Sequence, residues 1–262
     1  MRIADDLSAL YRYREVLVNL VSADLKLRYR RSVLGYLWSL IHPIMTITIM
    51  TIVLTHVVKF QTGSSYVLYV FAGWLPWNFL VNGFWGSGAA IINNESVLRK
   101  IYLPKILFPV AVTLARFIDF MINLSALFVI LIVISYLNPS PALLALPVAI
   151  LLLFLFTAGV TVALAAVNVY IRDTSHMVTV LMQWGFYLTP IIYDLSQIPE
   201  RFRPLFELNP ITHIIRLFQT IISVGQFPTS TEWGMAFFVT FLALVLGYGV
   251  FARLEKNLIF RL

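Results

Sequence analysis

Residues 142–169 read ALLALPVAILLLFLFTAGVTVALAAVNV, 28 positions without one ionisable side chain. A bilayer core takes about 20 apolar residues as helix. It offers no water to a backbone left unpaired, so a run of this length and composition is a membrane-crossing helix. The rest of the chain has the same character: 60% of its 262 residues are hydrophobic, 12% are charged and the mean hydropathy is +0.87. Ordinary soluble domains carry about 25% charged residues. At about 20 residues per crossing the length accommodates roughly five to seven spans and leaves no room for a separate soluble catalytic domain.

N-terminal to this span, Asn138-Pro139-Ser140-Pro141 makes a tight turn from another apolar run, about Ile106 to Tyr136. The stretch Asn93 to Lys105 before that is too short for a domain and too polar for lipid. A second span covers about Val67 to Ile92, with Pro76 inside and Gly83, Gly86 and Gly88 in its last third. The first runs from about Val33 to Val58 and is expected to kink at His42-Pro43, because proline removes a backbone donor. C-terminal to residues 142–169, Arg172-Asp173 interrupts the apolar run, and a short fifth span, about Met177 to Tyr193, closes on Thr189-Pro190.

The segment Asp194 to Glu232 holds Pro199, Pro204, Pro210 and Pro228 yet stays largely apolar. Asn209 suits an N-cap and Pro210 a first helical position. The helix they open, Ile211 to Val224, is too short to cross, so it is expected to be re-entrant or interfacial. His213, Arg216, Thr220 and Ser223 share one of its sides. A last span, about Trp233 to Phe251, leaves a tail with Arg253, Glu255, Lys256 and Arg261.

Residues 4 to 32 alternate apolar and polar positions at helical spacing, which fits an amphipathic helix lying at the membrane surface. It ends in Lys26, Arg28, Arg30 and Arg31, a cluster suited to lipid headgroups or to a docked partner. Asp5, Asp6, Arg12, Arg14, Glu15 and Asp24 exclude a secretory h-region before residue 32. The N-terminus is therefore expected in the cytoplasm. With six spans, the inside set holds 14 of the 19 basic and seven of the 12 acidic residues, a net +7. The outside set holds four of each, and Arg116 and Asp119 lie within the third span. The excess of basic residues on one side obeys the positive-inside rule, so the charge reports orientation and not nucleic-acid binding.

Chemistry has few candidates. His42, His56, His176 and His213 are scattered, there is no cysteine, and neither a metal-site motif nor a G-x-x-x-x-G-K-[ST] loop occurs. No metal, no cofactor and no enzymatic activity are expected of this chain. Arg116 and Asp119, at i and i+3, can pair along one helix, either as a local ion pair or as part of a proton relay. Trp38, Trp74, Trp77, Tyr187 and Tyr193 lie near span ends, where aromatic residues anchor to the interface; such rings also stack on sugars. Thr48, Thr51 and Thr55 share a face of the first span and either line a polar path or bond the preceding turn.

Six segments in order carry a resemblance. They are Leu27-Arg28-Tyr29-Arg30-Arg31-Ser32-Val33-Leu34-Gly35-Tyr36-Leu37-Trp38 with His42-Pro43, Gly73-Trp74-Leu75-Pro76-Trp77-Asn78-Phe79, Leu98-Arg99-Lys100-Ile101-Tyr102-Leu103-Pro104, Asn168-Val169-Tyr170-Ile171-Arg172-Asp173, Thr189-Pro190-Ile191-Ile192-Tyr193 and Asn209-Pro210. Together they resemble the membrane (permease) subunits of ABC exporters of lipid-linked polysaccharide, the O-antigen and teichoic-acid type; capsule exporters are less similar.

The resemblance implies an all-α integral membrane subunit with six transmembrane helices. It has an amphipathic interface segment at residues 1–32 and a transmembrane domain at 33–262. Within that domain lie a coupling segment at 93–105 and short outer-mouth helices at 195–231. It implies a homodimer in the cytoplasmic (inner) membrane, both termini cytoplasmic, bound to two copies of an ABC ATPase that carries the ATP and Mg. The substrate would be a polyprenyl-diphosphate-linked polysaccharide, O-antigen foremost. Arg28, Arg30, Arg31, Glu95, Arg99, Lys100, Arg172 and Asp173 would couple to the ATPase. Trp38, Thr48, Thr51, Thr55, Trp74, Trp77, Tyr187 and Tyr193 are the glycan-path candidates, with His213 and Arg216 at the outer mouth. The competing readings are an integral membrane enzyme of lipid-linked glycan metabolism and an ion-coupled lipid-glycan flippase.

Overall fold

A computed structural model of the chain describes residues 2–29, 37–53, 64–133 and 140–261. Among them there is helix and no strand: α1 (Arg2–Arg12), α2 (Arg14–Tyr29), α3 (Leu37–Ile52), α4 (Ser64–Ala90), α5 (Glu95–Leu98), α6 (Leu107–Val133), α7 (Leu146–Tyr170), α8 (Thr174–Tyr187), α9 (Arg203–Glu207), α10 (Pro210–Phe218), α11 (Ser230–Leu254) and α12 (Leu258–Arg261). Four segments are long and apolar enough to cross a membrane: Tyr66–Ala90, Leu107–Val129, Pro141–Tyr170 and Ser230–Asn257. They correspond to the expected second, third, fourth and last spans. The first expected span begins and ends outside the described residues, and its described part, α3, has 16 residues. The fifth is a helix of 14 residues that stops at Tyr187, six short of its expected end.

α7 is the hub, packing against α4, α6, α10 and α11. Its crossing with α11 is the tightest in the molecule. A Cβ on Gly247 would overlap the carbonyl of Gly159, and one on Gly159 would come within 2.6 Å of the carbonyl of Ala243. Lipid tails are as apolar as leucine, so helices in a bilayer gain from close packing, and small residues four apart permit it. A cluster of rings joins three spans to the short helix: Phe117 meets Phe154 at 5.0 Å and Phe79 at 6.0 Å, and Phe120 meets the fully buried Phe218 of α10 at 6.1 Å.

α10 begins as the sequence indicates. The Asn209 side chain accepts from the Ile211 N–H, and Pro210 follows. Beyond Phe218 the helix continues as a π-helical turn to Val224, and Pro210–Val224 is too short to cross. Residues 188–193 form turns in place of the expected helix end, and their carbonyls need partners. The Gln219 Nε2 donates to Pro190 O at 2.9 Å, the Tyr66 hydroxyl to Ile192 O at 2.7 Å and the Tyr69 hydroxyl to Tyr193 O at 3.2 Å. This irregular loop is thereby pinned to α4 and α10. α11 opens with a reciprocal capping box between Thr229 and Glu232, a T-x-x-E signal present in the sequence.

The expected single amphipathic helix over residues 4–32 is two helices, broken at Tyr13, with the side chains of Arg30 and Arg31 outside the described residues. It does not lie free. Val21 packs against Ala111 and Ala115 of α6, and the Asp6 carboxylate accepts from the Tyr248 hydroxyl of α11 at 2.7 Å.

The glycine crossing yields a direct prediction. Gly247→Ala is expected to destabilise the folded protein by about 1–3 kcal/mol through overpacking. Gly234→Ala, in the same helix at a point where a Cβ meets nothing within 4 Å, should keep stability or raise it by up to about 1 kcal/mol, alanine being the better helix former. Thermal unfolding of the two variants in detergent checks this; equal melting temperatures would contradict the packing described.

Candidate functional site

One end of the bundle gathers α1, α2, the α4–α6 connection, the α7–α8 turn and the C-terminal tail, and most of the basic residues with them. Here α4 ends at Ala90 and a 3-10 turn, Ile92–Asn94, leads into α5. The Asn94 side chain donates to Ala90 O at 2.8 Å, and Arg99 Nε pairs with Glu95 Oε1 at 2.7 Å, one turn apart. Leu98, Leu103 and Ile106 are buried beneath, in a cluster with Ile91, Phe108, Phe251 and Leu258. The opposite side of the segment presents Ile101, 58% exposed, and Tyr102, 86% exposed, directly after Arg99 and Lys100. The sequence reading named the charges and passed over this apolar pair, although two large hydrophobes in an otherwise polar stretch are a readable signal.

The connection is bolted to its surroundings. Lys105 Nζ donates to Glu255 O at 2.8 Å and the Tyr170 hydroxyl to Leu254 O at 2.9 Å. Both bonds reach carbonyls at the end of α11. Arg172 and Asp173 are exposed at the α7–α8 turn. Just before them the buried Asn168 donates to Gly88 O of α4 at 2.5 Å and accepts from the Ser175 hydroxyl at 2.9 Å. This side chain joins α4, α7 and α8 at one point, and its place in the Asn168–Asp173 segment is structural.

Arg28 falls in the last turn of α2, its side chain outside the description; Arg30, Arg31 and Thr55 lie outside the described residues altogether, as does the side chain of Thr51. Of the expected coupling set, Glu95, Arg99, Lys100, Arg172 and Asp173 are thus placed at one end. Arg116 does approach Asp119, at 3.6 Å, but its nearer partner is Asp24 of α2, at 3.0 Å from Nη1 and 3.1 Å from Nη2. The local pair is therefore also an interhelical one.

A groove with a volume of about 470 Å³ opens between α4 and α8, lined by Trp77, Trp85, Gln183, Trp184, Phe186 and Tyr187 among others. Trp77 is mostly buried and meets Phe186 edge-on at 5.9 Å; Phe186 meets Tyr187 at 5.5 Å. Trp85, Trp184 and Tyr187 are exposed. Two of the path candidates, Trp77 and Tyr187, therefore come together, and Trp85 and Trp184 join them. Tyr193 is half-buried, its hydroxyl donating to Tyr187 O. Trp74 is buried in the bundle core, while Trp38 and Thr48 are exposed on α3.

At the other end, His213 Nε2 bonds the Glu207 carbonyl at 2.7 Å and Arg216 pairs with Glu232 at 3.3 Å. Both residues tie α10 to its neighbours. Among the described residues no group of three or more His, Asp or Glu is placed to hold a metal.

The chain is similar in sequence to known transport proteins over most of its length. It is 32% identical over 221 residues, 84% of each chain, to the O-antigen export system permease protein RfbA of Myxococcus xanthus. It is 25% identical over 242 residues, 92% of each, to the protein of the same name from Klebsiella pneumoniae. The polysialic acid transport protein KpsM of Escherichia coli is more distant, 19% identical over 241 residues, 90% of this chain and 92% of that one. The family model for ABC-2 type transporters matches residues 15–223, from α2 through the coupling connection and the aromatic groove to the short helix. The chain belongs to the ABC-2 type transporter family.

Proposed function

We propose that this chain is the membrane subunit of an ATP-driven exporter of polyprenyl-diphosphate-linked polysaccharide, of the O-antigen type, in the cytoplasmic membrane. The observation that carries the reading is the exposed Ile101–Tyr102 pair, seated on the α4–α6 connection and rimmed by Glu95, Arg99 and Lys100. Large apolar anchors inside a charged rim are the anatomy of a protein-protein hot spot. Relatives that export O-antigen, and the lack of a P-loop in this chain, make a separate ABC ATPase the fitting occupant; ATP and Mg would be held there. With the basic end in the cytoplasm, α3 and α8 complete six spans, both termini lie inside, and Pro210–Val224 sits at the outer mouth. Two such subunits and two ATPases would form the exporter.

In this arrangement the ATPases close on ATP and move the connection. α4, continuous from Ser64 to Ala90, carries that displacement along the bundle, and Asn168 passes it to α7 and α8. α4 and α8 are also the walls of the aromatic groove. Ring faces pack on the C–H faces of pyranoses without reading each hydroxyl, which suits a polymer that must slide. Trp85, Trp184 and Tyr187 supply such faces, and the Gln183 amide one polar contact.

Three outcomes are expected. Deleting the gene should abolish surface glycan while lipid-linked glycan accumulates inside; intact surface glycan would remove the proposal, and glycan modification by the isolated chain would favour the enzyme alternative. Combining Ile101→Ala with Tyr102→Ala should weaken ATPase binding by roughly 30-fold or more, the scale of a hot spot worth about 2 kcal/mol, read by co-purification from membranes in which the chain still inserts. Arg99→Glu with Lys100→Glu should leave ATP hydrolysis running while export falls; normal export would remove their coupling role.

A further inference from the structure

We infer that Arg116 is a positioning residue that locks the interface helix α2 to the α4–α6 pair, so that α2 and the coupling connection move as one body. The inference rests on the exporter reading above, and its observations are independent of it. Arg116 Nη2 donates one hydrogen bond to Asp24 Oδ1 at 3.1 Å, while Nη1 makes ion-pair contacts with two carboxylates, 3.0 Å from Asp24 Oδ2 and 3.6 Å from Asp119 Oδ2. Only 10% of the Arg116 side chain is exposed, against 29% for Asp24 and 12% for Asp119. A planar guanidinium that hydrogen-bonds one carboxylate through one nitrogen and sets the other nitrogen between two carboxylates fixes direction as well as distance, which a lysine's single point charge does not do. Being nearly buried, it is little screened by salt.

Its location gives the pair a task. Arg116 lies nine residues along α6 from Leu107, about 13 Å from the coupling connection at 1.5 Å per residue. On its other side is α4, where Gly86 leaves room: a Cβ there would stand 3.6 Å from Arg116 Nε and 2.7 Å from Val112 Cγ1. Gly86 is one turn before Ala90, where α4 gives way to the connection. Lower down, Leu17 and Leu20 of α2 join the same apolar cluster as Leu98 and Leu103 of the connection. Apolar contacts alone permit sliding, and the Arg116–Asp24 hydrogen bond and ion contact set the register of α2 on α6. Because a guanidinium stays charged at every pH a protein survives, this group is a clamp and not a proton carrier.

The test uses the complete complex of permease and ATPase. The chain has no cysteine, so Val18→Cys on α2 and Val97→Cys on α5, both exposed, accept one pair of spin labels per subunit. Mixing with excess unsubstituted chain, and using an ATPase freed of cysteine, leaves one labelled pair per complex. The separation should give one narrow distribution, equal without nucleotide and with ATP trapped. Asp24→Asn, which leaves Arg116 its Asp119 partner, should broaden the distribution and cut glycan exported per ATP at least about tenfold while hydrolysis stays within about twofold; Asp24→Glu should restore both. Arg116→Lys, which keeps the charge and loses the second nitrogen, should broaden it as well and covers the case in which Asp24→Asn fails to assemble. An unchanged distribution in Asp24→Asn or Arg116→Lys overturns the inference, as does a loss of export matched by an equal loss of folded complex. If the unsubstituted complex does not export with ATP, the exporter reading fails, and the label separation still decides whether Arg116 holds α2 in place.

Discussion

The carbonyl of Gly159 faces the backbone of Gly247 with no side chain between them. That approach sets the distance between α7 and α11, and α7 is the helix on which α4, α6 and α10 are assembled. In water a pair of such helices would be held by expulsion of solvent from their apolar faces. In lipid that gain is absent, and what remains is contact area, which grows as the axes close. The two glycines, with Ala243 one turn before Gly247, give this bundle its closest approach. The ring cluster of Phe79, Phe117, Phe120, Phe154 and Phe218 then fills the space on the other side.

Around that centre, the placement of polar groups follows from what the bilayer denies them. Where the backbone leaves helix, as it does from Leu188 to Tyr193, it is bonded by Tyr66 and Tyr69 of α4 and by Asn209 and Gln219 at the two ends of α10. Where a buried charge occurs, at Arg116, it is matched by two carboxylates. Where helices end at the basic face, Lys105 and Tyr170 bond the terminal carbonyls of α11. The same bonds that satisfy these groups tie the α4–α6 connection and the end of α7 to the end of α11, and α6 to α2, so the requirement for pairing also produces mechanical continuity.

Much of this was legible in the chain. The uncharged run 142–169, the Asn209-Pro210 start and the sub-length helix after it all depend on local composition or on spacing of a few residues, and each appears in place. Asp24 was not legible as a partner, because it stands 92 positions from Arg116 and nothing in either neighbourhood announces the other. Trp74 and Trp77 could not be told apart either. α4 is buried on most of its circumference, so it has no polar side from which to read a face; both tryptophans are buried in the core, and Trp77 also borders the groove. The fifth span was drawn too long because residues 188–193 remain apolar after the helix has ended, their turns being held by side chains remote in sequence.

ATP-driven movement of lipid-linked glycan across a membrane containing only this chain and its ATPase tests the account most directly. In sealed vesicles with the glycan restricted to the leaflet bearing the ATPase, ATP should bring it to the opposite side. A hydrolysis-dead ATPase should abolish the transfer, and collapsing ion gradients should leave it unchanged. Transfer that proceeds with the dead ATPase, or that vanishes with the ion gradient, would contradict the coupling of the basic end to the groove.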